Sequence, residues 1–272
     1  MSVQTGAPPA MPPVLPPTRR LTDRALDILV WGGIIVLLLV SFGPAEMHKL
    51  PLLVTNSSNM REFSKDLLRP DFQEWRTYVA QMWLTVQIAL WGTALAVVLA
   101  IPFGLLCARN IAPIWIQQPM RLVINLLRSV PDLVVGTIFI VAVGLGPFAG
   151  VMALAVNTGA VLAKLFSEAV EAIDPRPVEG VRATGASRLQ EVVWGVLPQV
   201  GPHWTSYSLY RFEANARSAT VLGLIGAGGI GQTLFESING FQYRNTSAIC
   251  VVIVAAVTLI DLLSQAIRAR LI

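Results

Sequence analysis

A short polar stretch, residues 174–198, sits between two apolar segments that are each long enough to cross a bilayer. If those neighbours lie in lipid, water must hold the insert. Asp174 ahead of Pro175 predicts a helix starting there, because proline is tolerated in a first turn whose N–H needs no partner. Gly185 supplies a turn with relaxed backbone limits. Ser187 and Gln190 have the spacing of a capping box, which predicts a second helix from Arg188. Pro198 is expected to end or bend that helix. Two helices joined by a glycine in water are expected to form a docking element.

Composition supports the lipid assignment of the flanks. The chain is 54% hydrophobic and 13% charged, against roughly 25% charged in soluble domains, and its mean hydropathy is +0.62. The expected fold class is an all-α integral membrane protein of about six transmembrane helices with a cytoplasmic helix-turn-helix. The crossings are expected near residues 25–42, 78–108, 122–145, 148–166, 203–225 and 248–267. Pro102 should bend the second and Pro131 the third. Residues 1–24 read as a disordered, proline-rich cytoplasmic tail, with 25–272 as the membrane domain. Residues 46–76 read as an extracytoplasmic segment with an amphipathic helix around 59–68.

Charge placement sets the orientation. Arg19, Arg20, Arg24, Arg109, Arg121, Arg176, Arg182, Arg188, Arg268 and Arg270 all fall in segments assigned inside. The Gly146-Pro147 link carries no basic residue, and the link after the fifth crossing carries only Arg244. That asymmetry follows the positive-inside rule and puts both termini in the cytoplasm. The 46–76 segment, with Lys49, Arg61, Lys65, Arg69 and Arg76, fits it least well. The net charge of +4 therefore reads as membrane orientation. The basic residues are scattered over separate loops, so nucleic acid is not an expected partner.

The fifth crossing carries Arg211, Glu213 and Arg217. Each costs about 2.5–3.5 kcal/mol on insertion scales if it faces lipid, so this helix must face protein or a wet cavity. Ser208, Arg211, Asn215 and Ser218 share one face and could line the path of a small hydrated anion or pack at a subunit contact. Glu213 and Arg217, four apart on the opposite face, suit an ion pair between helices, although Arg217 is also a candidate for the path. Arg128 and Asp132, four apart around Pro131, are open, like Glu213, between a pathway and a structural role; pairing with each other would lower their insertion cost.

Residues 179–198 resemble the coupling loop of ABC importer permeases, whose pattern runs E-A-A, three residues, G, nine residues, I-x-L-P. Glu179, Gly185, Leu197 and Pro198 stand at the matching spacing, while Gly180, Val181 and Gly195 depart from it. The stretch from Arg217 to Gly231 resembles phosphonate-type importer permeases, as does Arg128-Ser129-Val130-Pro131, and methionine-type permeases share the glycine-rich half. The similarity covers the chain from about Gln81 onward. It implies a type I ABC importer permease in the bacterial inner membrane, carrying phosphonate, phosphite or phosphate. Contact with the ATPase would fall to Glu179, Gly180, Arg182, Gly185, Ala186, Arg188, Leu197 and Pro198. The implied partners are an ATPase dimer, which binds ATP and Mg, an extracytoplasmic binding protein, a second permease copy or close paralogue, and the bilayer. No cofactor is expected on this chain. Importers of another small solute such as an amino acid, a stand-alone channel and a secondary transporter are the alternatives; a channel or secondary transporter has no use for the docking element.

Enzyme chemistry finds little purchase. His48 and His203 are far apart, no H-E-x-x-H spacing occurs, and no Walker-type run is present. Gly226 to Gly231 matches G-x-G-x-x-G literally. However, a membrane helix precedes it and no acid follows about twenty residues on, so a close helix approach or a break in the helix is the better reading. Cys107 and Cys250 are expected near opposite bilayer surfaces, beyond disulfide reach.

Overall fold

A computed structural model describes residues 21–55, 61 and 64–270. They fall into two compact units, one ending at residue 61 and one beginning at 62. In the first unit, α1 (Leu21–Ser41) starts ahead of the expected Ala25 and is followed by two single helical turns, Met47–Lys49 and Leu52–Thr55. The proline-rich stretch before residue 21 lies outside the described residues. Of the helix expected around 59–68, residues 61 and 64–67 are helical, and 59, 60, 62 and 63 lie outside the described residues.

Every regular element among the described residues of the second unit is a helix. Its elements are α2 (Trp75–Cys107), α3 (Ile114–Ser129), α4 (Asp132–Val143), α5 (Pro147–Glu171), α6 (Pro175–Ala183), α7 (Leu197–Leu222), α8 (Ile230–Asn239) and α9 (Tyr243–Arg268). Among the described residues, α2, α5 and α9 are long and apolar enough to span a bilayer. Two bent pairs bring the total to five if each is one span: α3 with α4, and the path from Arg188 to Ala227 with α8.

Three expectations need correction. The third crossing is no single kinked helix from residue 122: α3 begins at Ile114 and meets α4 at 91°. Pro131 forces the residue before it out of the helical region, and Val130 is extended at φ −84°, ψ 124°. The fifth crossing does not simply end near 225. The break falls in the glycine run as expected, at Gly226, φ +101°, but the chain then turns 58° into a further helix, α8, which periodicity did not reveal. Gly228 and Gly229 are also left-handed, a region that glycine enters without strain. Finally, the helix from Arg188 does not stop at Pro198. It widens into a π turn at Glu191–Val196 and continues as α7 with Pro198 in its first turn, where the missing N–H is absorbed.

Small residues set the packing. Gly92, Ala96, Ala100 and Gly104 recur every fourth residue on α2 and are buried; Gly159 of α5 lies against Ala96, and Ala163 and Ser167 lie against Gly104. A Cβ on Gly92 would stand 2.7 Å from Leu154 Cβ, and one on Gly104 would stand 2.8 Å from Phe166 Cβ. Such ridges let membrane helices approach until dispersion holds them, since lipid offers no hydrophobic drive between helices. Phe166 then stacks on Trp204 of α7 with ring centroids 4.4 Å apart.

Hydrogen bonds group the helix ends. At one end, Arg121 pairs closely with Glu171, the Arg109 N–H donates to Glu171 at 2.8 Å, and Asn110 donates to the Val170 carbonyl at 2.7 Å. At another, the Asp71 N–H donates to the Arg244 carbonyl at 3.1 Å and Arg244 Nε donates to the Arg69 carbonyl at 3.2 Å. The Gly146 N–H donates to the Gly226 carbonyl at 3.0 Å.

Candidate functional site

The polar stretch folds as its local chemistry dictates. Asp174 Oδ1 accepts from the Arg176 N–H at 3.0 Å and caps α6. Gly185 takes φ +82° and reverses the chain. The Ser187 N–H donates to Gln190 Oε1 at 2.7 Å, one arm of the expected capping box. Arg182 Nε and Nη2 then reach across the turn to the two carboxylate oxygens of Glu191, at 3.0 and 2.9 Å. This fork holds the Glu191 carboxyl below its usual range, chiefly through the hydrogen bond, and the same bond raises the Arg182 guanidinium. Glu179, Gly180, Gly185, Arg188 and Pro198 are exposed, with Ala186 and Leu197 half-buried. Around the turn an open concavity is lined by Pro177, Gly180, Val181, Ala186 and Trp194.

The stripe on α7 faces the bundle. Asn215 is fully buried; its Nδ2 donates to Thr93 Oγ1 at 2.8 Å, and its Oδ1 accepts from Thr158 Oγ1 at 2.7 Å. Three helices, α2, α5 and α7, thus meet at one amide. Ser208 donates to its own helix at the Trp204 carbonyl, 2.7 Å away. Ser218 donates to Asp132 Oδ2 at 2.9 Å, while Asn157 donates closely to Asp132 Oδ1 and at 3.2 Å to the Val130 carbonyl. The 91° elbow is therefore pinned to α5 and α7 from both sides of Pro131. Arg211 Nη2 lies 3.4 Å from Thr158 Oγ1. Its Nε is buried without a hydrogen-bond partner among the described residues, an uncommon condition for a group of this polarity.

No ion pair joins Arg128 to Asp132 among the described residues, and Arg128 is exposed. Residues four apart meet only on a continuous helix, and the elbow interrupts this one. Glu213 and Arg217 do pair, at 3.5 Å, and the pair extends to α9 through Arg217 with Asp261 at 3.3 Å and Arg268 with Glu213 at 3.2 Å. Sequence reasoning missed Thr93, Asn157, Thr158 and Glu191 as partners. Adjacent polar residues Asn157 and Thr158 inside an apolar run were the available signal for two of them.

Residues 100–272 match the sequence profile of the binding-protein-dependent transport system inner membrane component. The chain belongs to that family. This transport component is 39% identical over 221 residues to the phosphite transport system permease protein PtxC of Stutzerimonas stutzeri, covering 79% of each chain. It is 60% identical over 121 residues to PhnE2 of Escherichia coli K12, named as a cryptic phosphonate transport system permease protein; that match covers 44% of this chain and 99% of the other. An inward-facing structure of the MetNI methionine ABC transporter superposes with a TM-score of 0.65 at 21% identity, over 74% of this chain and 99% of that one. This last likeness shows the fold. The transport component is thus a multi-pass inner-membrane protein with the type I importer permease architecture.

Proposed function

We propose that this permease imports phosphite, phosphonate or a similar small phosphorus oxyanion, driven by a separate ATPase. The 39% identity to a phosphite permease over 79% of both chains carries this reading. The geometry supports its mechanical half. The hairpin from Pro175 to Val196 presents Glu179, Gly180, Gly185 and Arg188 outward, and an ATPase dimer grips those residues from the cytoplasm. From Arg188 one helical path runs through the π turn and α7 to Ala227. A push on the hairpin therefore moves Arg211 and Asn215 without an intervening loop. A second permease copy or close paralogue completes the pathway, and an extracytoplasmic binding protein delivers the solute. ATP and Mg belong to the ATPase.

Arg211 supplies the anion chemistry, because its fork has a donor left without a partner among the described residues and suits bidentate binding of an oxyanion. Ser208, Asn215 and Ser218 hold that face of α7 in place, and Arg217 serves the ion network with α9. Glu179→Lys and Gly185→Trp should abolish uptake of labelled phosphite while the protein still inserts and no longer copurifies with its ATPase. Unchanged ATPase association and uptake in both variants would remove the coupling role. Arg211→Ala should lower uptake about tenfold or more, the loss of a charged hydrogen bond. Unchanged uptake makes Arg211 structural.

A further inference from the structure

Two cavities stack end to end along α2, α3 and α5. The first, of 190 Å³, is almost wholly apolar and includes Leu99 and Phe103 of α2, Ile124 and Leu127 of α3, and Gly159 and Ala163 of α5. The second, of 270 Å³, takes over one turn further on, at Cys107 on α2 and at Lys164 and Ser167 on α5, and it shares Ile124. Steps of four along α2, from 99 to 103 to 107, show one helix face passing from the first into the second. The second cavity also holds Arg109, Arg121, Glu168 and Glu171. The result is one groove with an apolar floor and a charged mouth, at the end of the bundle that carries the 174–198 hairpin.

The charges at the mouth are unequally committed. Arg121 is spent: it pairs closely with Glu171, and its Nε donates to the Cys107 carbonyl at 2.9 Å. Glu171 is further occupied by the Arg109 N–H. The Arg109 side chain is 73% exposed, with its Nε 4.0 Å from Glu171, and Lys164 stands 3.8 Å from Glu168 with both half-exposed. Such long, solvated pairs exchange readily for a better anion. Three cations face two carboxylates, leaving an excess of positive charge at the mouth.

We propose that this groove binds one anionic phospholipid of the cytoplasmic leaflet, its headgroup phosphate between Arg109 and Lys164 and an acyl chain along Phe103, Ile124 and Leu127. The leaflet rests on the orientation proposed above. A free anion would have no use for the apolar continuation, whereas basic pockets between helices at the cytoplasmic surface fit lipid headgroups. The bound chain wedges α3 against α2 and α5, beside the elbow at Pro131.

Native mass spectrometry of the full-length protein tests this in micelles doped with either phosphatidylglycerol or phosphatidylcholine. At least fivefold more retained phosphatidylglycerol is expected, falling to the phosphatidylcholine level in R109A/K164A; the backbone bond from Arg109 to Glu171 survives that change. Val123 of α3 also lines the apolar cavity, and Val123→Trp should reduce retention of both lipids; undiminished retention in that variant overturns the acyl half of the site. Equal retention of the two lipids by the unmodified protein overturns the proposal, as does undiminished phosphatidylglycerol in the double variant. Competition by millimolar inorganic phosphate alone also overturns it, since the site would then be an anion site without an acyl half. The readout needs neither ATPase nor solute, so a failure of the transport reading leaves it standing.

Discussion

Gly195 occupies a position where similar loops carry isoleucine, and packing accounts for the difference. A Cβ there would stand 3.0 Å from Val178 Cα, so α6 lies against the π turn only because position 195 has no side chain. Gly231 is tighter still, with a Cβ placed 1.9 Å from the Thr220 carbonyl oxygen. Neither constraint resembles that on Asn215, whose amide joins three helices by hydrogen bonds. These differences separate in stability. Asn215→Ala leaves two buried threonines short of a partner and should cost about 1–2 kcal/mol, within the range for lost interhelical hydrogen bonds. Gly231→Ala must push helix backbone apart and should cost about 3 kcal/mol or more. Detergent-induced unfolding of the purified protein orders the two; the reverse order would mean that the break at Gly226 yields easily.

The hairpin depends on an ion pair whose partners stand nine residues apart. Since Glu191 is held below its usual carboxyl value near 4.5 when folded, its contribution is present above that value and disappears as pH falls through the lowered one. Spin labels at Ala183→Cys and Val193→Cys should report one fixed separation from about pH 8 to 5 and a broadened one only below about pH 4.5. Glu191→Gln should broaden it throughout, and broadening near neutrality would point to another group. How much of this element was legible follows from range. The Asp174 cap, the Gly185 turn and the Ser187–Gln190 bond each act within four residues, so residue types and spacing specify them. The Arg182–Glu191 fork needs the turn to close first. The right angle at Pro131 needs Asn157 and Ser218, from two other helices, to hold Asp132, and the break at Gly226 needs Thr85 and Gly146 against it. A proline or glycine marks where a helix can break; which way it then turns is decided by distant side chains.

Across the second unit, hydrogen bonding ties the described loops into two groups. Residues 108–113 and 170–199 are tied together through Glu171, Val170 and Asp174 with Gln199, and they hold Arg109, Arg176, Arg182 and Arg188. Residues 67–71 are tied to 244–247, which places the basic 64–76 stretch with the poorly charged links despite its own arginines. A segment bonded to the α8–α9 link lies on the side where that link lies, so residues 64–76 share a face with it whichever face that is. Single-cysteine labelling in a background lacking Cys107 and Cys250 reads the orientation directly. Ser187→Cys should react with an impermeant maleimide only after the cells are opened, and Asn239→Cys should react in intact cells. The reversed pattern would put the hairpin where no ATP is available and would remove the proposed drive, whatever the solute. Labelling at both positions in intact cells would instead mean that residues 174–198 cross to the outer face, a placement their exposed arginines oppose.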